Sequence, residues 1–472
     1  MTRYEQLAAQ IRQQIEDSIW QVGDRLPSLR ESVKQSGLSL MTVVQAYQLL
    51  ESQGWVAARP QSGYYVANRN NAFAAAKGGK GLHLNENVEI NASIFGVLQA
   101  CKDPDIIPFG SAFPEPALLD DPKLAKSLAS VARRLSKTNT TTNLPPGNEQ
   151  LRRNIAQRYA TQGIHVAPDE IVITAGAMES LVLSLQAVTQ PGDWVVIESP
   201  AFYGSLQAIE RLKLKAIAIK TDPLFGIDLD ALEDIADKYP IKACWLMTHY
   251  QNPLGGTMPP ANKKRLVNIL NSHKIVLIED DVYGELYFGN QQPIPAKSLD
   301  SQGNFFHCSS FSKCLAPGYR VGWVAAGHHA SKIQHLQMMS TVSASVPTQL
   351  AIAEYLSQGG YDNHLRKLRQ TMEQRQHIML SAIAKYMPPT VKVNTPKGGY
   401  FLWLEFEPPF NAIQLYQLAL KEGISIAPGS MFSTSDQFNH AFRLNASFAW
   451  NDRLEQAMQV LGRLCYRLTG LK

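Results

Sequence analysis

The sequence predicts a large α/β body with a mainly parallel sheet, preceded by a small α-rich module. Three observations lead to this prediction. The first 66 residues combine helical periodicity with a short hairpin pattern. The remainder alternates short β-branched runs with amphipathic helices, which is typical of parallel sheets covered on both faces. A stretch rich in Asn, Ala, Gly and Lys separates the two, and 472 residues suffice for about three folding units.

Composition sets limits on the function. Apolar residues make up 45% of the chain, which excludes a disordered protein. The net charge of +5 is too small for a protein that coats nucleic acid along its whole length, so any such contact must be local. The five cysteines are far apart and show no zinc spacing, which predicts reduced thiols and no metal site. With no signal peptide and no run of membrane-spanning length, we expect a soluble cytoplasmic protein without membrane contact.

The first module is predicted to contain three helices. Apolar residues recur at helical spacing between Tyr4 and Ile19 and give the first helix one apolar face. Ser28 can cap a second helix that runs to about Ser36, where Gly37 breaks it. Ser39 can cap a third helix that ends near Gly54. Two short helices joined by a tight glycine turn predict a helix-turn-helix.

A hairpin and a linker complete this part of the chain. Trp55–Arg59 and Gly63–Val66 predict two short antiparallel strands around a turn. Residues 67–90 have the composition of a flexible linker, which places the first domain at residues 1–66 and the body at 91–472.

The body divides into a large part, at about residues 140–345, and a small α+β part, at about 105–139 and 346–472. A long helix is predicted from about residue 346 to about Tyr386, and a closing helix from Asp452. The predicted strands are Ile171–Thr174, Trp194–Glu198, Ala216–Ile219, Ala243–Met247, Ile275–Glu279, Val321–Ala325, Val391–Val393 and Tyr400–Glu405. The predicted helices between strands include Glu179–Val188, Asn262–Ser272 and Ser331–Ser340.

Several polar residues fall where strands of this body end. Asp280 directly follows the predicted strand Ile275–Glu279, and ligands of open α/β sheets bind at the carboxyl ends of strands. Lys313 lies among hydroxyl groups, with Arg320 seven residues later. The turn before Ala177 leads from a strand into a helix, whose free amides favour a phosphate. Each feature alone has an ordinary explanation as a helix cap, a loop or a turn, so the indication lies in their order.

That order resembles the fold-type-I aminotransferases, which use pyridoxal phosphate, over roughly residues 105–472. The resemblance implies that Lys313 is the Schiff-base lysine and that Asp280 pairs with the pyridinium nitrogen. It implies that Arg443 clamps a substrate carboxylate. It further implies ring-oxygen contacts from Asn252 and Tyr283, stacking by Phe202 with Tyr203 as the alternative, and a phosphate cup of Ser310, Ser312, Arg320 and the amides of Ala177 and Met178.

Two departures from that family pattern are visible. Ala177 stands where these enzymes often carry a Ser or Thr, so a side-chain contact to the phosphate is missing and the amides must contribute more. The segment Thr142–Gly147 matches the region where a tyrosine commonly reaches the neighbouring subunit, and it contains none.

The helix-turn-helix has the residue types of a local DNA reader. Its six basic and six acidic residues cancel, so bulk charge gives no support for DNA binding, but the basic residues concentrate on the later elements. On the third helix, Val43, Val44, Tyr47 and Leu50 form an apolar stripe. The polar face opposite carries Gln45, and glutamine can read adenine, while hydroxyl groups reach phosphates. A helical module for protein interaction is the alternative on these residues alone.

This module resembles the winged helix-turn-helix of GntR-type regulators through Gly23–Ser28, Gly37-Leu38-Ser39 and Thr42-Val43. Leu40 departs from the pattern, because relatives usually have an arginine there. Fusion to an aminotransferase-like body is the layout of the MocR subgroup of that family. The predicted DNA contacts, from residue types and resemblance together, are Arg25, Ser28, Arg30, Ser39, Met41, Thr42, Gln45, Arg59, Gln61, Ser62 and Gly63.

The predicted function is a transcriptional regulator that depends on pyridoxal phosphate. DNA, at an operator near its own gene, would bind residues 1–66, and an amino compound or a vitamin B6 vitamer would be sensed through Lys313. The aminotransferase resemblance implies a homodimer, which also suits a DNA site with two half-sites. The alternatives are a working amino-acid aminotransferase with an accessory DNA-binding module, and a scaffold that has lost the cofactor.

Overall fold

The computed structural model describes residues 3–17, 19–21, 23–52, 55–59, 63–66, 82–85, 93–119, 121–135, 143–434 and 436–471. Gln61 and Ser62 of the predicted wing tip lie outside these residues, as do the side chain of Arg59 and most of the predicted linker.

The N-terminal module has the predicted order of elements. Ser28 caps the second helix, because its Oγ accepts a hydrogen bond from the amide of Glu31 while the Glu31 carboxylate accepts one from the amide of Ser28. Gly37 ends that helix in the left-handed conformation, at φ 66°. The elements are α1 (Arg3–Glu16), α2 (Leu29–Ser36), α3 (Leu40–Ser52), β1 (Val56–Arg59) and β2 (Gly63–Val66).

Most of the predicted apolar stripe of α3 lies in the core of this module, but Val44 is only half-buried and Ala46 is buried in its place. Val43, Tyr47 and Leu50 are fully buried against α1, and Ala8 is buried on the α1 side. The periodicity places Ile19 on the same face, but it is 63% exposed because α1 ends at Glu16.

The elements of the body fall into two groups along the chain. The first group is β3 (Leu82–Asn85), α4 (Ser93–Ala100), β4 (Ile107–Pro108), α5 (Pro122–Arg134), α6 (Glu149–Thr161), β5 (Ile171–Thr174), α7 (Ala177–Val188), β6 (Trp194–Ser199), α8 (Tyr203–Arg211), β7 (Lys215–Asp222), β8 (Gly226–Ile227), α9 (Leu229–Lys238), β9 (Ile241–Leu246), α10 (Pro260–Ser272) and β10 (Val276–Asp280). The second group is β11 (Phe306–Ser310), β12 (Gly322–Ala325), α11 (Ala330–Met338), α12 (Val346–Ser357), α13 (Tyr361–Tyr386), β13 (Lys392–Val393), β14 (Phe401–Glu405), α14 (Ala412–Lys421), β15 (Ile424–Ser425), β16 (Ala427–Pro428), β17 (Ala441–Asn445) and α15 (Asp452–Thr469).

The main sheet runs in the order β3-β7-β6-β9-β10-β11-β12-β5, with β8 paired to β7. The five central strands, from β7 to β11, are parallel, as the β-branched runs predict. Strand β12 is antiparallel to both β11 and β5, so β5 points the same way as the central strands. One edge of the sheet therefore holds the carboxyl ends of β5, β6, β9, β10 and β11.

Strand β3 corrects the predicted extent of the linker. Leu82–Asn85 pairs antiparallel with β7 and joins the main sheet. The physical reason is that β7 would otherwise leave its outer backbone groups without partners, and the alternating Leu-His-Leu-Asn pattern suits an edge strand.

The remaining strands form a second core with α4, α14 and α15, where Trp403 and Phe442 are fully buried. The single long helix predicted after residue 346 is two helices, α12 and α13. Gly359 breaks the helix at φ 74° and Gly360 follows. In the described part of the chain, no helix has the length and apolarity needed to cross a membrane.

Candidate cofactor site and DNA-binding module

A cavity of about 180 Å³ lies at the carboxyl edge of the main sheet. The strand ends gather residues there that are far apart in sequence, as expected for this kind of sheet. The cavity is lined by each of the ten residues predicted to hold the cofactor: Ala177, Met178, Phe202, Asn252, Asp280, Tyr283, Ser310, Ser312, Lys313 and Arg320.

Lys313 follows β11 and points its amine into this cavity. The Nζ atom donates a hydrogen bond to the carbonyl oxygen of Ala112 at 2.8 Å and lies 4.3 Å from the centre of the Phe113 ring. Burial, together with the positive charges of Arg443 and Arg320, lowers the pKa of Lys313 to about 7. A neutral amine is the form that attacks an aldehyde, so the site favours the reactive state.

Asp280 is the last residue of β10 and is almost fully buried. Its Oδ1 atom has no hydrogen-bond partner among the described residues. Burial raises the pKa of Asp280 to about 7. A buried carboxyl oxygen without a partner is costly, and a ring N–H donor placed there would satisfy it.

An anion cradle lies where β5 leads into α7. The guanidinium of Arg320 donates to Ser312 Oγ at 3.2 Å and to the carbonyl oxygen of Ala175 at 3.4 Å. Gly176 lies under it at φ 94°, and a Cβ there would come within 2.4 Å of Arg320 Nη2. The free amides at the start of α7 and the Arg320 guanidinium therefore lie at the same turn, and this combination suits a phosphate.

Arg443 on β17 lies behind Asn252 and does not line the cavity itself. Its Nη1 donates to Asn252 Oδ1 at 2.7 Å and its Nη2 donates to the carbonyl oxygen of Gly110 at 2.8 Å. The guanidinium also lies 4.1 Å from the centre of the Phe401 ring. Its Nε has no partner among the described residues. The arginine is thus fully buried next to the predicted ring-oxygen contact.

Aromatic residues close one side of the cavity. Phe202 and Tyr203 both line it, with ring centres 4.8 Å apart. Gly204 is required behind them, because a Cβ there would come within 2.4 Å of the Phe202 ring. Sequence reasoning missed Phe113 and Gln207. Gln207 lies one turn after Tyr203 on α8, so helical spacing could have indicated it, whereas no motif marked Phe113.

The predicted DNA contacts that the structure describes fall on the exposed side of the module. Arg25, Arg30 and Gln45 are exposed, and Met41 is 69% exposed. Gly63 opens β2, with the guanidinium of Arg25 next to it.

Three of the predicted DNA contacts, Ser28, Ser39 and Thr42, already make hydrogen bonds within the module. Ser28 Oγ caps α2, and Ser39 Oγ accepts from the amide of Thr42 at 3.2 Å and contacts the Thr42 hydroxyl at 2.8 Å. Their hydroxyl groups therefore support the ends of α2 and α3.

A crevice of about 700 Å³ separates this module from the body. Tyr4, Gln45 and Gln48 line one side, and Gln374 and His377 of α13 line the other. Gln45, predicted to read bases, therefore also faces the body.

The cavity fits pyridoxal phosphate. A lysine of lowered pKa, a buried acid with an open oxygen and an anion cradle match the aldehyde, the ring nitrogen and the phosphate of that cofactor. The fold and the site together define a class of protein: a pyridoxal-phosphate body of the fold-type-I aminotransferase kind, joined to a helix-turn-helix module.

Comparison with known families agrees with both halves. Residues 114–461 match the model of aminotransferase class I and II, and residues 3–66 match that of bacterial regulatory proteins of the gntR family. The chain belongs to the HTH-type transcriptional regulators in which a GntR-family domain precedes an aminotransferase class I and II domain, an arrangement consistent with the MocR type.

Relatives match nearly the whole chain. The chain is 55% identical over 468 residues to the uncharacterized HTH-type transcriptional regulator YdcR of Escherichia coli K12, covering 98% of this chain and 99% of that protein. It is 25% identical to the HTH-type transcriptional regulator NorG of Staphylococcus aureus USA300, covering 92% and 98%.

Solved structures of aminotransferases resemble the body. LysN, the α-aminoadipate aminotransferase of Thermus thermophilus, was solved with N-(5'-phosphopyridoxyl)-L-leucine; it has a TM-score of 0.73 and 26% identity, covering 80% of this chain and 96% of its own. Kynurenine aminotransferase of Pyrococcus horikoshii, solved with PMP, has a TM-score of 0.75 and 25% identity, covering 80% and 95%. The cofactor of this fold is pyridoxal phosphate.

Proposed function

We propose that this protein is a transcriptional regulator whose DNA binding responds to an amino compound or a B6 vitamer at the pyridoxal-phosphate site. The observation that carries the proposal is the combination, in one chain, of a cavity lined by the ten residues predicted to hold the cofactor and a GntR-family module. An enzyme would need only the first of these, and a simple DNA-binding protein only the second.

The residues around the cavity have distinct tasks. When bound, pyridoxal phosphate supplies an aldehyde that can pass between the amine of Lys313 and the amine of a ligand. Asp280 would hold the ring nitrogen of the cofactor, and Arg320 and the α7 amides would hold its phosphate. Arg443 is the cation for a ligand carboxylate, which requires that it release Asn252 or share it.

A ligand that frees Lys313 changes its surroundings directly. The amine donates to the carbonyl of Ala112, which also accepts from the Tyr400 hydroxyl at 3.0 Å. Three residues later, the carboxylate of Glu115 accepts a hydrogen bond from Arg375 of α13. Lys313 contacts Ala112, and Ala112 lies only three residues before Glu115. A change at Lys313 therefore has a short route to the ion pair between Glu115 and Arg375 of α13.

Helix α13 continues this connection toward the DNA-binding module. Gln374 and His377, next to Arg375, line the crevice opposite Gln45. Such a connection supports coupling between the two sites, provided that the ligand makes different contacts in two states of the protein.

The predicted partners follow from the same proposal. Arg25, Arg30, Ser28, Ser39, Met41, Thr42, Gln45 and Gly63 are the proposed DNA contacts within the described residues. A homodimer would present two modules to two half-sites, and aminotransferase-like bodies favour such pairs. With DNA as partner, we propose that the protein works in the cytoplasm.

A mobility-shift titration tests the proposal. Purified protein is mixed with DNA from near its own gene, with and without pyridoxal phosphate and a panel of amino acids and vitamers. We expect a specific shift whose midpoint changes at least about threefold with one of these compounds, a coupling of about 0.7 kcal/mol. No specific shift under any condition would overturn the proposal.

Aminotransferase activity is the second candidate function. Lys313 has the lowered pKa of a reactive amine, and Arg443 could hold the carboxylate of an amino acid. Steady formation of a 2-oxo acid by the purified protein would favour the enzyme. A stable spectral change on amino-acid addition, with little turnover, would favour the sensor.

A further inference from the structure

A buried charge network lies directly behind the cofactor acid. Asp281 follows Asp280, and because successive side chains of an extended chain point to opposite faces, its carboxylate points away from the cavity. Asp281 Oδ1 lies 2.9 Å from His249 Nδ1, and Oδ2 lies 2.9 Å from His307 Nε2. Asp281 is 8% exposed. None of these three residues lines the cofactor cavity.

The outer partners decide which nitrogen of each histidine carries the proton. The indole N–H of Trp323 donates to the Tyr159 oxygen at 3.0 Å, and the Tyr159 hydroxyl lies 2.7 Å from His307 Nδ1, where its own proton can be donated. His307 then carries its proton on Nε2 and donates to Asp281.

The same reasoning applies to His249, at the other end of the network. Lys263 Nζ donates to the carbonyl oxygen of Ile294 and lies within hydrogen-bond distance of His249 Nε2, which is itself 3.2 Å from the same carbonyl. With Lys263 as the donor to Nε2, His249 carries its proton on Nδ1 and also donates to Asp281. The carboxylate receives two donors and remains ionised, and the two histidines lower the pKa of Asp281 far below its usual range despite burial.

The backbone of Asp281 is held as firmly as its side chain. Its amide donates to the carbonyl oxygen of Cys308 at 2.9 Å, and its own carbonyl accepts from Ser309 Oγ at 2.9 Å. Gly284 leaves room for the carboxylate, because a Cβ there would come within 2.5 Å of it. Asp281, the first residue after strand β10, is thus fixed at four points, immediately next to Asp280.

We propose that Asp281 is a positioning residue for the cofactor. It fixes the orientation of Asp280, and its permanent negative charge strengthens the hold of Asp280 and the pyridine nitrogen on their shared proton. The role rests on the cofactor site, not on DNA binding, so it can be tested apart from the proposed regulation.

The charge of Asp281 supports this role, in addition to its geometry. The negative charge of Asp281 adds to burial in raising the pKa of Asp280. The titratable groups that face Asp281 are His249 and Tyr250 after β9, Glu279 and Asp280 of β10, His307 of β11, Tyr159 of α6 and Lys263 of α10, with Arg158 and Glu285 in the small crevice outside His307.

The test is a pH titration of the absorbance of the protein with bound pyridoxal phosphate. Asp281→Asn removes the charge with little change in size. Without this negative charge, nearby protons are lost more easily. The midpoint of the absorbance titration should therefore move to lower pH by on the order of one unit. Lys263→Met removes a positive charge from the far end of the network, so its midpoint should move to higher pH.

Asp300→Asn is the matched control. Asp300 is also buried, pairs with Lys297 at 2.9 Å and does not line the cofactor cavity. Its loss should lower the melting temperature and leave the midpoint unchanged. A midpoint in Asp281→Asn equal to that of the native protein, or shifts of one sign in both network variants, would overturn the proposal. If Asp281→Asn does not fold, an unshifted Lys263→Met overturns it.

Discussion

Lys313 is the residue on which the cofactor site depends most directly. Its amine points into the cavity and its pKa is lowered to about 7. We predict that Lys313→Ala abolishes the visible absorbance band of the protein with pyridoxal phosphate, because the bond that gives this band needs the amine. Lys332→Ala, an exposed lysine of α11, should retain the band. A full band in Lys313→Ala would contradict the assignment.

A second prediction at the scale of single residues concerns Asp280 and the stability of the protein without cofactor. An unfolded aspartate has a pKa of about 3.9, whereas that of Asp280 is about 7. The folded state therefore binds the proton more tightly, so this residue lowers the free energy of unfolding as pH rises from about 4 to about 7. The slope is at most about 1.4 kcal/mol per pH unit.

Thermal melts at pH 5 and pH 7 measure this effect. Asp280→Asn has no titrating carboxyl, so it should lose less stability between these pH values than the native protein. Asp300→Asn should lose about as much stability as the native protein over this range, because the lowered pKa of Asp300 keeps it ionised in both the folded and unfolded states above pH 5. Parallel melting curves for native protein and Asp280→Asn would contradict the raised pKa.

At the scale of elements, the turn between β5 and α7 combines backbone conformation with anion binding. Gly176→Ala places a methyl group within 2.4 Å of Arg320 Nη2 at a positive φ. We predict that pyridoxal phosphate binds at least about tenfold more weakly, a loss of about 1.4 kcal/mol, because Arg320 must leave the phosphate position.

Gly192→Ala is the control that separates the steric clash with Arg320 from the backbone strain of a positive φ. Gly192 has φ 91° but no atom within 4 Å of an added Cβ. Both variants should lose about 1 kcal/mol of stability from the left-handed conformation, but only Gly176→Ala should lose cofactor affinity. Equal cofactor affinities in a fluorescence titration would refute the anion cradle.

At the scale of the whole molecule, the question is how the body communicates with the DNA-binding module. Arg375 of α13 pairs with Glu115 near the cavity mouth and neighbours the residues of the crevice. We predict that Arg375→Ala binds pyridoxal phosphate and DNA normally but loses most of the effect of the amino ligand on DNA affinity. Arg453→Ala, an arginine of α15 outside the crevice lining, serves as control. An unchanged ligand effect in Arg375→Ala would exclude this route.

Local sequence determined the elements and the chemistry that each one carries. The strand that ends at Asp280, the capped helix after Ser28 and the stripe of α3 all depend on neighbouring residues, so they could be predicted. Residues at strand ends, such as Asp280, could also be predicted to share one edge of the sheet, whereas Phe202 was expected in the cavity only through the aminotransferase resemblance. The two resemblances supplied their roles.

Only the tertiary structure determined the features that depend on residues distant in sequence. Leu82–Asn85 became a strand only because β7 offers an open edge, and Phe113 reached the cavity without any motif. The pairing of Asp281 with His249 and His307 joins three segments whose spacing carries no signal. Local patterns reflect forces between near neighbours, whereas these contacts come from satisfying buried backbone and charged groups across the fold.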